Sequence, residues 1–224
     1  GIGGVAGNGQ DEFLGALSGE MKTSPKTITL FDQHIGHLRP NQRRELGLRA
    51  APEERLGHAA APAMSLVENT LMTSHSKDVI DQWGIINFKN ISTKTSRIVS
   101  EFDVRTPTLD NTAASLSGGN LQKFVIGREI LEKPKVFVVN QPTWGVDAAA
   151  AAFIRQSILN LASQQSAVIV ISQDLDELFE ICDTFAVLTN GYMSRTYELG
   201  QLSSEDVGLL MGGSDLDLDS HAQT

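Results

Sequence analysis

Ser115-Leu-Ser-Gly-Gly-Asn-Leu-Gln-Lys123 opens an amphipathic stretch that leads to Lys135-Val-Phe-Val-Val-Asn-Gln-Pro-Thr-Trp-Gly-Val-Asp147. The first piece is a Ser-Gly-Gly turn at the start of a helix. Such a turn leaves a row of free backbone N–H groups at a positive dipole end, a seat for phosphate oxygens. The second piece is a short β-rich apolar run ending in polar residues. That is the pattern of a buried parallel strand delivering side chains at its C-terminal edge. Taken alone, Ser117 is an ordinary N-cap, and Asn140 and Gln141 are ordinary strand-end polar residues. An ordinary N-cap does not predict a Pro-Thr-x-Gly-x-Asp cluster at the end of the following strand.

Working outward, Gly1 to Val5 reads as the tail of a strand. It runs into Gly4-Val-Ala-Gly7-Asn8-Gly9-Gln10-Asp11-Glu12 and then a helix carrying Phe13, Leu14 and Leu17, stopped by Gly19. Thr27 to Leu30 alternates like a short exposed strand, and Arg39 to Leu46 reads as a helix with Pro40 in its first turn. Gly47 to Ala51 is a strand candidate. Ser65 and Glu68 form a capping box for a helix over 65–73, with patchier helical character to about Phe102. Beyond Asp147 the pattern predicts a helix over 148–161, a buried strand over 167–172, a helix from Asp174 to Ile181, and a hairpin (184–189, 192–199) turning at Asn190-Gly191. A short helix starts at Ser203. Buried strands alternating with helices argue an α/β domain around a mainly parallel sheet, interrupted by a helical lobe.

With 224 residues, 41% of them hydrophobic, the chain can bury a full core. A net charge of −9 argues against a basic nucleic-acid surface or a polybasic membrane patch. The single Cys182 excludes an intrachain disulfide and suits a reducing compartment. No apolar run reaches the roughly 18 residues of a spanning helix. With Gly1 directly before a glycine loop, the chain is expected to be an excised piece of a longer polypeptide.

The stretch Leu116-Ser117-Gly118-Gly119-Asn120-Leu121-Gln122-Lys123 and the cluster ending in Asp147 together resemble the signature helix and Walker B strand of an ABC-transporter ATPase. The resemblance covers most of the chain: the glycine loop, Pro52-Glu53 at the Q-loop position, the helical lobe, Asp147 at the D-loop position, and Ile171-Ser172-Gln173-Asp174 at the switch. Asn120 after Ser-Gly-Gly is similar to the sugar and nucleoside importers, whose ATPase polypeptides fuse two such domains. Gly-Val-Ala-Gly-Asn-Gly-Gln resembles the second, C-terminal domain, and Pro52-Glu-Glu-Arg-Leu-Gly57 with Ser65-Leu-Val-Glu-Asn69 looks most like the nucleoside subgroup. The implied fold is a P-loop NTPase of the ABC type, with a mainly parallel sheet flanked by helices, an inserted helical subdomain and a truncated N-terminal antiparallel part. The implied division is a core of 1–64 and 111–211, a helical signature lobe at 65–110, and a disordered tail at 212–224.

The departures from the family pattern bear on function. A working P-loop cradles phosphates, places Lys on the terminal phosphates and binds Mg²⁺ through Ser or Thr. Here Gln10 stands at the Lys position and Asp11 and Glu12 at the hydroxyl positions, so carboxylates replace groups that should meet anions. Gly4, Gly7, Asn8 and Gly9 complete this loop, which by itself also fits a plain strand-to-helix turn. Asn140 stands at the Walker B Asp and offers a poorer ligand for a hard cation. Gln141 stands at the general-base Glu and cannot take a proton. Gln173 stands at the switch His and Glu53 at the Q-loop Gln. The resemblance therefore implies a hydrolytically degenerate domain with no competent catalytic residue and no metal of its own. It would supply Ser117, Gly118, Gly119 and Asn120, with D-loop Asp147, in trans to the ATP site of its partner.

Implied partners are the first nucleotide-binding domain of the same polypeptide and membrane-spanning permease subunits, with no nucleic acid and no direct membrane insertion. The implied location is cytoplasmic, peripheral on the inner face of the cell membrane. ATP, with Mg at the partner site, is the implied cofactor, and binding by the isolated domain is expected to be weak or nil. The competing readings are a non-nucleotide-binding structural or regulatory module and a loop that binds nucleotide without metal. His34, His37, His58 and His75 read as loop or solvated histidines, and Asp215 to Asp219 as a solvated acidic run. Trp144 stands where the family commonly has Arg, with no physical account from sequence.

Overall fold

The computed structural model describes residues 1–74, 79 and 84–213. The expectations placed on His75, the middle of the helical lobe and the tail beyond Gly213, with its acidic run Asp215 to Asp219, lie outside those residues. The chain packs as two compact units, one of 1–50, 136–142 and 167 onward, the other of 51–135 and 143–166.

The first unit is built on a seven-stranded sheet. Its strands are β1 (Ile2–Gly3), β4 (Leu48–Ala51), β5 (Val136–Asn140), β6 (Ala167–Ser172), β7 (Thr184–Thr189), β8 (Tyr192–Met193) and β9 (Tyr197–Glu198), in the order β4-β5-β6-β1-β7-β8, with β9 also on β7. The central pairs β5–β6, β6–β1 and β1–β7 are parallel, and the β7–β8 and β7–β9 pairs are antiparallel. Val138, Val139 and Phe137 are fully buried, as a continuous apolar run in a central parallel strand requires. The register pairs Asn140 with Ile171, so both strands end at the same edge.

Helix α1 (Gln10–Ser18) packs on β5. It ends at Gly19, whose φ of +89° carries the left-handed turn that stops the helix. Ile2, Leu14, Val138, Ile171 and Leu188 form the core between α1 and the sheet. A second cluster joins Phe185, Val187 and Tyr197 to Val207 and Leu210 of the last helix, with Phe179 edge-on to Phe185 at 5.7 Å. The small hairpin β2 (Thr29–Leu30) and β3 (Gln33–His34) and the helix α2 (Pro40–Glu45) complete the segment between α1 and β4. Helix α7 (Leu175–Ile181) starts at Asp174, whose carboxylate caps Asp176 and Glu177, and α8 (Ser204–Met211) starts on a Ser203/Asp206 capping box.

The second unit is helical. Helix α3 (Leu66–Thr73) carries the expected Ser65/Glu68 capping box. It is followed by α4 (Phe88–Glu101), a 3-10 turn at Ala113–Ser115, α5 (Gly118–Ile130) and α6 (Ala148–Ser163). Helix α4 packs on α3 and α5, and α5 on α6. Ile91, Ile98, Phe124, Ile154 and Ile158 are buried there. Helix α5 presses closely on Phe102: a Cβ at Gly127 would stand 2.4 Å from the ring. Gly127→Ala is therefore expected to destabilise the chain by about 1–3 kcal/mol through overpacking. The roughly 1 kcal/mol gain in helix propensity partly offsets this. Urea denaturation checks it, and a stabilised variant would show that Phe102 moves aside freely.

The return limb of the last hairpin differs from expectation. One strand was predicted over 192–199, and the structure has two short ones. The break falls at Ser194, whose hydroxyl accepts from Val187 N at 2.9 Å while donating to Arg195 O at 2.8 Å. A side chain thus takes over a ladder position.

Candidate functional site

In the first unit the glycine loop, the end of β5 and the start of the β6–α7 turn come together. Gly7 and Gly9 have φ of +82° and +110°, conformations open to glycine at little cost. Gln10, 7% exposed, folds back onto its own loop. Its Oε1 accepts from Asn8 N at 3.0 Å and its Nε2 donates to Val5 O at 2.8 Å. Asn8 is tied to the β7–β8 turn: Asn190 N donates to its Oδ1 at 2.8 Å and Gly191 N to its carbonyl at 2.9 Å. Its Nδ2 donates to Val5 O at 2.9 Å.

Asp11 and Glu12 are exposed in the first turn of α1, where carboxylates suit the helix dipole. Asp11 Oδ1 accepts from Asn140 Nδ2 at 3.0 Å, while Asn140 Oδ1 is buried with no hydrogen-bond partner. Gln141 follows β5 at φ +51°, a left-handed conformation costing a non-glycine residue about 1–2 kcal/mol. It is held there by its N–H donating to Ile171 O at 2.8 Å. Its Oε1 lies 3.5 Å from Gln173 N. Ser172 Oγ donates to Glu177 Oε2 at 2.7 Å and accepts from Asp174 N at 3.1 Å.

The remaining sequence-predicted residues gather in the second unit. Ser117, exposed at the N-cap of α5, accepts from Asn120 N at 3.4 Å and Asn120 Nδ2 at 2.9 Å. Asn120 Oδ1 in turn accepts from Arg105 N at 2.9 Å. The carboxylate of Asp147 caps α6 by accepting from Ala150 N at 2.9 Å. A Cβ at Gly119 would stand 3.4 Å from Asp147 Oδ2 and 3.2 Å from Ala150 Cβ, so the glycine lets the two helix starts approach.

Sequence reasoning missed Arg55 in this group. Its guanidinium donates to Trp144 O, and its Nη1 lies 3.0 Å from the place a Gly118 Cβ would occupy. Burial lowers its pKa, and Glu53 nearby raises it. Arg55 thus bonds to the Thr143–Gly145 turn and lies close against Gly118 of the Ser-Gly-Gly turn, and Trp144 is 61% exposed. Nothing in the local pattern around Arg55 signals a contact so distant in sequence.

Among the described residues no group of three or more His, Cys, Asp or Glu is placed to hold a metal ion. No helix among them is long and apolar enough to cross a membrane.

No protein-family model matches the chain. It is 35% identical over 214 residues to the guanosine import ATP-binding protein NupO of Bacillus subtilis, covering 96% of this chain and 42% of that protein. It is 32% identical over 216 residues to the nucleoside import ATP-binding protein NupA of Lactococcus lactis, covering 96% and 43%. The glucose import ATP-binding protein TsgD13 of Haloferax volcanii matches at 32% over 226 residues, covering 100% and 41%. The chain thus spans less than half the length of these curated relatives. Among solved structures it is similar to the dimeric post-hydrolysis state of the ATP-binding cassette MJ0796 bound to ADP and Pi. That match has a TM-score of 0.72 and 16% identity, over 90% of this chain and 85% of that one. The ADP conformation of the cassette MJ1267 gives a TM-score of 0.66 and 19% identity, over 94% and 82%. The chain therefore has the fold of an ATP-binding cassette, and over nearly its whole length it is similar in sequence to part of the ATP-binding proteins of guanosine, nucleoside and glucose import.

Proposed function

We propose that the chain is the second ATP-binding domain of an ABC importer for sugars or nucleosides, that it does not hydrolyse ATP itself, and that it completes the ATP site of a partner domain. The observation that carries this is the Asn140–Asp11 bond at 3.0 Å. Groups at positions that in the family face metal and phosphate bond to one another instead. The side chains around the glycine loop do not suit a Mg²⁺–triphosphate. The loop offers no ammonium, Asp11 and Glu12 present negative charge at its exit, and the buried acceptor is the neutral Asn140 Oδ1. Gln141 has no basic form to take a proton.

The signature turn is a different case. Ser117 and Gly118 are exposed at the N-terminus of α5, so hydroxyl and backbone donors there are open to an anion brought by a partner. Phosphoryl transfer depends chiefly on positioning and charge stabilisation, which these groups supply without a catalytic base on this chain.

The relatives' names support solute import as the wider reading; permease subunits docking on the helical lobe at 65–110 and a place on the cytoplasmic face of the membrane follow from the family resemblance. The self-satisfied glycine loop also favours a second reading, a structural or regulatory module that binds no nucleotide. Two measurements separate the readings. Alone, the chain is expected to show no Mg²⁺-dependent ATPase above background, and robust turnover would overturn the degenerate assignment. In the assembled importer, Ser117→Arg is expected to lower ATP hydrolysis about a hundredfold or more, and a complex indifferent to it would leave only the structural reading.

A further inference from the structure

The glycine loop of the first unit already has an occupant. Gln10 Oε1 accepts the Asn8 backbone N–H, one of the donors such a loop turns toward an anion, and Gln10 Nε2 closes the ring on Val5 O. A lysine at this position carries donors only and could not satisfy a backbone N–H; a carboxamide carries an acceptor and a donor and satisfies both sides. Glycine at position 4 leaves room both for this side chain and for the neighbouring strand. A Cβ at Gly4 would lie 2.6 Å from Gln10 Nε2 and 2.6 Å from Leu188 O, so only glycine admits it there. The loop is further pinned from outside by Asn190 N and Gly191 N on Asn8, and the helix it opens is tied to β5 through Asp11 and Asn140.

We infer that Gln10 is an intramolecular plug: its carboxamide occupies the phosphate seat of the glycine loop and excludes polyphosphate by competition, in addition to the charge of Asp11 and Glu12. This rests on the reading of Gly4 to Glu12 as a nucleotide-type loop, and is independent of the role given to Ser117. Charge repulsion and a filled seat make different predictions. If charge alone excluded the ligand, removing Asp11 would raise binding with Glu12 still in place, and removing the Gln10 carboxamide as well would add nothing. If the seat is filled, removing Asp11 leaves the plug in place, and the carboxamide must go as well.

The test is calorimetric titration of the full chain with inorganic pyrophosphate and, separately, ATP, with and without Mg²⁺. Wild type and Asp11→Ser are expected to show no binding in the millimolar range. Gln10→Ala combined with Asp11→Ser is expected to bind pyrophosphate at least about tenfold more tightly than Asp11→Ser, the scale of one to two released hydrogen bonds. Asp11→Ser binding as well as the double variant would overturn the plug, since charge alone would then explain exclusion. Wild type binding as well as the double variant would overturn it too, and so would a double variant that binds nothing. Amide exchange gives a readout free of ligand and variant: the Asn8 N–H of the wild-type chain is expected to be protected, and exchange there at the rate of an open loop would sink the proposal. The Ser117→Arg measurement reads the other unit, so failure of either idea is distinguishable from failure of the other.

Discussion

Ser117→Arg is expected to lower ATP hydrolysis by the assembled importer about a hundredfold or more while the chain remains folded. Losing one preorganised donor at a developing charge costs about 10²–10³ in rate, and an arginine also fills the space in front of Gly118 and Gly119. The structural cost is small by comparison. Ser117 is exposed and serves α5 only through Asn120 N at 3.4 Å and Asn120 Nδ2 at 2.9 Å. Losing such a cap costs about 1 kcal/mol. Thermal denaturation of the variant separates a folding defect from a catalytic one. Gln141→Glu made alone is expected to restore little activity to this chain, because Asn140 and Gln10 remain. ATPase rates of the two variant complexes, measured side by side, check both statements. Full activity in the Ser117→Arg complex would remove the trans role.

Arg43→Met is expected to lower the stability of the chain by about 3 kcal/mol or more, since each buried acceptor left unsatisfied costs about 1–3 kcal/mol. Arg43 is fully buried, and its guanidinium serves four carbonyls. Nε donates to Leu38 O at 3.1 Å, Nη1 to Leu17 O at 2.8 Å and to Ala16 O, and Nη2 to Gly36 O at 3.1 Å. Ala16 and Leu17 lie in the last turn of α1, where a cation also meets the negative end of the helix. Burial lowers the pKa of the group, and the carbonyl cluster offsets the cost of burying its charge. Methionine keeps an unbranched apolar stem, two heavy atoms shorter than arginine, and supplies no donor. Lysine cannot reproduce the planar fork and is expected to recover only part of the loss. Urea denaturation of the three proteins decides the matter, and a Met variant as stable as wild type would mean that the four carbonyls find other donors.

Arg43 shows where the sequence falls silent. Its neighbours predicted a helix, which α2 confirms, yet nothing marked this arginine as the buried one rather than Arg44. The hairpin β2–β3 is similar. Its turn runs through Phe31 and Asp32 at φ of +48° and +62°, without the glycine that makes such turns legible. The Asn190-Gly191 turn was legible for that reason, but its hold on Asn8 was not. Of the candidate site, the residue set was readable and the bonding was not: Asn140 could be seen to lack a carboxylate, not to donate to Asp11.

The chain by itself determined most of its elements and several of their ends. Periodicity, the glycine at position 19, the Ser65/Glu68 box and the apolar runs of β5 and β6 act over one or two turns, and local signals suffice for them. It also determined which residue types stand at the Ser-Gly-Gly turn and after β5. Only the tertiary structure decided what those residues do to one another. The Gln10 carboxamide filling its loop, Asp11 meeting Asn140, and Arg55 reaching the Trp144 carbonyl close to Gly118 all depend on the direction of side chains. Direction is set by packing among elements far apart in the chain, and no local propensity encodes it.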